Sequence, residues 1–130
     1  MMDSTKLTID VYSRADALAD GILIDVSDQA FLVGFKVPVA MSCAAWSQSV
    51  EWTEADSRRQ GYQDQSGRLW DVLTLCVGAA ARTSTDEMTF SLNCLSRNGN
   101  RVPVVMVLKA VIDGGDDGKP VVTIMLPDED

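Results

Sequence analysis

The chain has 130 residues and a net charge of −8, with 46% apolar and 23% charged residues. That length fits one domain able to bury about two thirds of its unfolded surface, so the fold requires neither disulfides nor metal. The acidity, with a pI near 4.3, disfavours direct binding to nucleic-acid phosphates. The absence of histidine removes His-based triads, His-ligated metals and the usual general base. Cys43, Cys76 and Cys94 lie far apart, without CxxC spacing. They read as free thiols, two on apolar faces and Cys43 at a helix start. The opening Met-Met-Asp-Ser-Thr-Lys has no apolar core of a signal peptide, and no apolar run approaches the ~18 residues of a membrane span. A cytoplasmic protein is expected.

In chain order, Leu7–Tyr12 alternates as a short strand. Ser13 and Asp16 have capping-box spacing before a short helix that Gly21 stops. Ile22–Val26 reads as a strand, and Ser27 as the cap of a second short helix ended by Gly34. Phe35–Met41 is extended, with Pro38 arguing for an edge or irregular position. Ser42 caps a third helix running through Val50. The polar stretch Thr53–Ser66 is expected to be an exposed loop with room for a helical turn. Gly67–Arg82 then reads as an apolar helix whose narrow polar stripe is Asp71, Thr74, Gly78 and Arg82. A helix so apolar belongs at the centre of the fold.

The last third is β. Met88, Phe90, Leu92 and Cys94 alternate with polar residues, and every even position from Val102 to Ile112 is apolar. Arg97-Asn98-Gly99-Asn100 and Asp113–Lys119 supply turn chemistry, and Val121–Leu126 is a third strand. The expected fold is a single α+β domain spanning 1–130, with 1–6 and 127–130 as flexible ends. It is a C-terminal three-stranded antiparallel meander packed against a central buried helix, with short strands and helices before it.

No P-loop, GxGxxG or HExxH occurs, so no cofactor, metal or catalytic residue is assigned and an enzyme is not expected. Residues 113–130 hold six acids against Lys119 alone, a net of −5 out of −8. Asp113, Asp116 and Asp117 precede the last strand; Asp128, Glu129 and Asp130 follow it. They are expected as two acidic patches at its two ends, able to imitate nucleic-acid phosphates. A calcium loop is disfavoured because the spacing matches no EF-hand. Trp46 reads as core. Trp52 with Arg58 and Arg59 is the expected exposed protein-binding cluster. Asp25 interrupts an apolar strand, so it faces water or pairs with Arg14 or Arg68.

Several blocks resemble a family of small uncharacterised bacterial proteins found on plasmids, phages and other mobile elements. They are Tyr12-Ser-Arg-Ala-Asp-Ala, Asp20-Gly-Ile-Leu-Ile-Asp-Val26, Phe35-Lys-Val-Pro-Val39, Gly67-Arg-Leu-Trp-Asp-Val-Leu73, Leu108-Lys-Ala110 and Pro120-Val-Val-Thr-Ile-Met-Leu-Pro127. The resemblance carries no activity across. It implies a setting in which small acidic proteins block host defences. The expectation is a non-enzymatic inhibitor of a nucleic-acid-targeting defence complex, anti-CRISPR or anti-restriction, whose partner is a host nuclease or CRISPR effector. The alternative is a small-molecule-binding or enzymatic domain in which Arg14, Asp20, Asp25, Arg68 and Asp71 converge beside the central helix.

Overall fold

The computed structural model describes residues 12–130; the strand expected at Leu7–Tyr12 lies outside them except for Tyr12, which is not in a strand. The elements are α1 (Arg14–Ala19), β1 (Leu23–Asp25), α2 (Ser27–Val33), β2 (Val39–Ser42), α3 (Cys43–Ser49), α4 (Glu54–Gln60), α5 (Gln65–Ala81), β3 (Glu87–Cys94), β4 (Val104–Gly114) and β5 (Pro120–Met125). The five strands form one mixed sheet in the order β1-β2-β5-β4-β3. The domain is α+β, and β3, β4 and β5 make the expected antiparallel meander.

The short helices follow their local signals closely. Ser13 accepts from the Asp16 amide and Asp16 returns the bond to Ser13 N, closing the capping box of α1. Ser42 caps α3 through the Ala45 amide. Gly34 ends α2 at φ 117, a left-handed value that disfavours any side chain. One cap shifts: Ser27 is the first residue of α2, and Asp25 Oδ1 accepts its amide at 3.0 Å. Asp25 itself is exposed, so it takes the wet-face option.

Two expectations are corrected. Strand β2 is interior and buried at every position, because it pairs with β1 on one side and runs parallel to β5 on the other. Pro38 sits just before the strand, where its carbonyl accepts the Val122 amide and its missing N–H breaks no ladder. The polar stretch 53–66 is more than a loop with one helical turn: it contains the seven-residue α4, the link 61–64 and the first two residues of α5.

Alternation along the strands divides the sheet into two faces. One face carries Met41, Ile124, Leu108, Ala110, Met88, Phe90 and Leu92 into the core, against Ala30 of α2 and Leu69, Val72, Leu73, Cys76 and Ala79 of α5. The opposite face carries Thr123, Met125, Lys109, Val111, Asp113 and Glu87. There α1 is held by Arg14, whose guanidinium bonds Thr123 Oγ1 at 2.7 Å and the Val122 carbonyl at 3.0 Å. Burial pushes the Cys76 thiol up to about 12, in keeping with an inert core thiol. Among the described residues no helix is long and apolar enough to cross a membrane.

Helix α5 is wetter than its sequence stripe implies: Trp70 and Leu75 are 48% and 42% exposed. Leu73 is fully buried. Leu73→Ala should therefore cost about 3 kcal/mol in denaturant unfolding, and Leu75→Ala under about 1 kcal/mol. Equal losses would place the buried face of α5 elsewhere.

Candidate protein-interaction surfaces

The end of the domain around α4 is organised by one carboxylate. Thr53-Glu-Ala-Asp56 is a capping box: Asp56 N donates to Thr53 Oγ1 at 3.1 Å and Thr53 N donates to Asp56 Oδ2 at 2.8 Å. Asp56 is only 1% exposed. Besides closing the cap it accepts Arg97 Nε at 2.8 Å and a bond from Arg59. Burial alone would raise the Asp56 pKa, but the Thr53 amide, the Arg97 guanidinium and the Thr53 hydroxyl outweigh it and hold the carboxyl below its ordinary value. Arg97 Nη1 continues to Ser47 Oγ and to Glu51 Oε1 at 3.1 Å.

Gln60, four residues on and on the same helical face, completes the clamp on the β3–β4 turn. Its amide donates to the carbonyls of Ser96 and Arg97, and its oxygen accepts the Arg101 amide. Arg101 Nε bonds the Arg59 carbonyl. The turn's positive φ therefore falls on Arg101, at 71°, rather than on Asn98 or Gly99. That backbone costs about 1–2 kcal/mol in a non-glycine residue, offset by the bonds to α4. Arg59, Arg97 and Arg101, distant in sequence, thus meet at one place beside Arg58, which pairs at 3.8 Å with Glu54.

Trp52 is corrected from exposed anchor to core. It is 7% exposed, and its indole N–H donates to the Gly61 carbonyl at 3.2 Å. The Arg68 guanidinium lies 4.7 Å from its ring centroid. Arg68 is 5% exposed, and among the described residues no carboxylate pairs with it. Its charge is met by the Val50 and Leu95 carbonyls, at 2.9 and 3.1 Å, and by the indole face. Burial is the largest influence on that guanidinium and lowers its pKa. Trp46 is partly buried against the core, close to its expected role. Of the expected cluster, only Arg58 and Arg59 reach solvent.

The acidic end lies on the second sheet face. Asp116 accepts the Arg14 and Ala15 amides at 2.9 and 3.0 Å, fastening the β4–β5 turn to α1. Those two amides, Ala15 foremost, hold its carboxyl below the ordinary value. Asp117 accepts the Lys119 amide within the turn. Glu129 Oε1 accepts Ser42 Oγ and the Leu126 amide, which ties the C-terminal residues to β2. The 113–117 acids stand before β5 and the 128–130 acids after it; Asp113, Asp116 and Asp130 line an open hollow of about 670 Å³ on the sheet face, together with Glu87, Arg14 and Lys109. Asp113, Asp117, Asp128 and Asp130 are exposed.

The five residues of the alternative reading do not meet. Arg14 binds β5, Asp20 accepts the Tyr12 hydroxyl, Asp25 faces water, Arg68 stacks on Trp52, and Asp71 is exposed on α5. Sequence reasoning also missed Asp56, Gln60, Arg97 and Arg101. The signal was present in Thr53-Glu-Ala-Asp56, the same three-residue spacing as Ser13 to Asp16.

A single α+β domain with an acidic hollow at one end and an arginine-lined turn at the other defines this chain's class. The chain belongs to a family of unknown function, DUF6573, whose profile matches residues 1–130. No curated protein and no solved structure matches it.

Asp56→Ala removes the common acceptor of two arginines and the α4 cap. The expected loss is about 2–3 kcal/mol, less than for a fully buried pair because both arginines reach water. Asp56 is depressed in the folded state, so its contribution is complete above the unfolded pKa, roughly 4. It is lost as pH falls through the lower folded value. Urea titrations from pH 7 to pH 3 should show stability falling at the acid end, with a shallower fall in Asp56→Ala. Parallel curves for the two proteins would refute the assignment.

Proposed function

We propose that this chain is a non-enzymatic interaction protein of a mobile genetic element. Its acidic end engages the cationic nucleic-acid channel of a host defence nuclease or CRISPR effector. The observation that carries the reading is that Asp113, Asp117, Asp128 and Asp130 face solvent at the two ends of β5, with Asp113 and Asp130 lining one hollow. The arginine-lined turn lies roughly 30 Å by strand rise from the Asp113–Asp117 turn, at the far end of β4. That separation keeps Asp113 and Asp117 clear of Arg58, Arg59, Arg97 and Arg101; the cations beside the hollow are Arg14, which bonds Thr123, and Lys109, which is buried. A surface of one sign steers toward a surface of the other and weakens with salt.

Asp116 and Glu129 spend their oxygens on backbone amides, so they orient this surface more than they contact a partner. Arg58 and Arg59 are a second, smaller exposed patch, and Trp52 leaves the binding set because it is buried. The chain's lack of histidine and the absence of a catalytic constellation in its motifs favour binding over chemistry.

Expression in hosts with an active restriction or CRISPR system should raise the recovery of a targeted plasmid. The quadruple variant D113N/D117N/D128N/D130N should lose that gain at unchanged thermal stability. Full protection by the quadruple variant would contradict the acidic mode. An absence of protection against every system tried would contradict the function.

A further inference from the structure

Strand β3 is the last strand of the sheet, and among the described residues nothing pairs with its outer edge. Its sequence, Glu87-Met-Thr-Phe-Ser-Leu-Asn-Cys94, has no proline, lysine or glycine. Those are the devices that ordinarily keep an edge strand from adding a neighbour. Beside this edge, α5 exposes Trp70 and Leu75, two of the larger apolar side chains at the surface. With Asp71, Thr74, Leu92 and Asn93 they line a hollow of about 320 Å³ between helix and strand.

The charges on the α5 stripe beside this edge have opposite sign at its two ends, while Asp86 and Glu87 are exposed at the start of the strand. Helix α5 carries Asp71 near one end and Arg82 just past the other, both exposed. Arg82 folds back, with Nη1 3.5 Å from where a Cβ on Gly78 would stand, so its charge lies on the same stripe as Asp71. Helix and strand run in opposite directions: Arg68, near the start of α5, bonds the Leu95 carbonyl just beyond the end of β3. The helix then returns to Glu87 through the short link 82–86.

We infer that this flank is the interface with a second copy of the chain, formed by antiparallel pairing of β3 with β3 and of α5 with α5 about a two-fold axis. A two-fold contact brings the same surface to both sides, so it suits a helix stripe with Asp71 at one end and Arg82 at the other. The register agrees between the layers. The hollow sets α5 at Asp71–Thr74 beside Leu92–Asn93. The centre of β3, between Phe90 and Ser91, is two residues further along the strand, about 7 Å. The same distance along α5 is between about four and five residues, which reaches the neighbourhood of Val77. Asp71 and Arg82 stand nearly equidistant from that point. An axis through the centre of β3 therefore sets Asp71 of each copy against Arg82 of the other and closes Trp70 and Leu75 away from water. An eight-residue strand about 27 Å long with the adjoining helix face supplies on the order of 600–800 Å² per copy, close to the size of a specific interface. This surface meets the acidic hollow only at Glu87 and contains none of Asp113, Asp117, Asp128 and Asp130, so either proposal stands without the other.

Sedimentation of the full chain across a concentration series, with circular dichroism to verify folding, tests the pairing. The expected species has twice the 14.1 kDa chain mass. Leu75→Glu should be monomeric. Asp71→Arg and Arg82→Asp should each weaken dimerisation by about tenfold or more. The double exchange D71R/R82D should restore it, because each new arginine again faces an acid across the axis. A wild-type chain that stays monomeric throughout, a dimer that Leu75→Glu leaves intact, or a double exchange as weak as the single ones would overturn the inference.

Discussion

The parallel pairing of β2 with β5 makes one domain out of two local units. Val39, Ala40 and Met41 register with Val122, Thr123 and Ile124, more than eighty residues away along the chain. The N-terminal unit is α1 to α3 with β1 and β2; the C-terminal unit is the β3–β5 meander. Neither closes a core alone. Val39, Met41 and Ala45 complete the same buried cluster as Leu73, Leu108 and Ile124, all fully buried. A parallel pairing cannot be made by a hairpin and requires a long crossover. Helix α5 lies within that crossover and fills the space it encloses. The smaller contacts between the units follow from this pairing: Arg14 on Val122 and Thr123, Asp116 on the first turn of α1, and Glu129 on Ser42.

At the other end of the sheet, polar groups accomplish what apolar packing does in the centre. Asp56 and Gln60 hold the turn after β3, and Arg68 beneath them bridges Val50, Trp52 and Leu95. Each group is bound by several partners, which is the condition under which a buried charge is tolerated. One atom is an exception: Arg68 Nη2 is buried and has no hydrogen-bond partner among the described residues. The same locks orient the surface, leaving the arginines of the α4 turn at one end and the carboxylates of the β4–β5 turn at the other.

Features encoded over a few residues were legible in the sequence. Ser13 with Asp16, Ser42, and Gly34 mark helix ends because capping is a contact within one turn. The meander was legible because alternation at Met88–Cys94 and along β4 reports which side chains enter the core. The interior place of β2 was not, since Pro38 suggests an edge and the pairing with Val122 has no local trace. Helix α4 reads as no more than a turn within a loop because its residues are polar, although Thr53 and Asp56 spell the same cap as Ser13 and Asp16. Trp52 was misplaced because its burial depends on Arg68, sixteen positions later, which reads locally as a surface residue. The acids were legible by composition, but the hollow shared by Asp113, Asp116 and Asp130 depends on the fold, which sets the β4–β5 turn and Asp130 beside the same sheet face.

Native-state hydrogen exchange across β2, β4 and β5 tests most directly whether the β2–β5 pairing binds the two units into one cooperative domain. The slowest amides of all three strands should exchange at the same free energy, that of global unfolding. Leu73→Ala should lower all three by the same amount. Exchange of β2 at a distinctly lower free energy, with β4 and β5 still protected, would show the N-terminal unit opening on its own and would contradict the account.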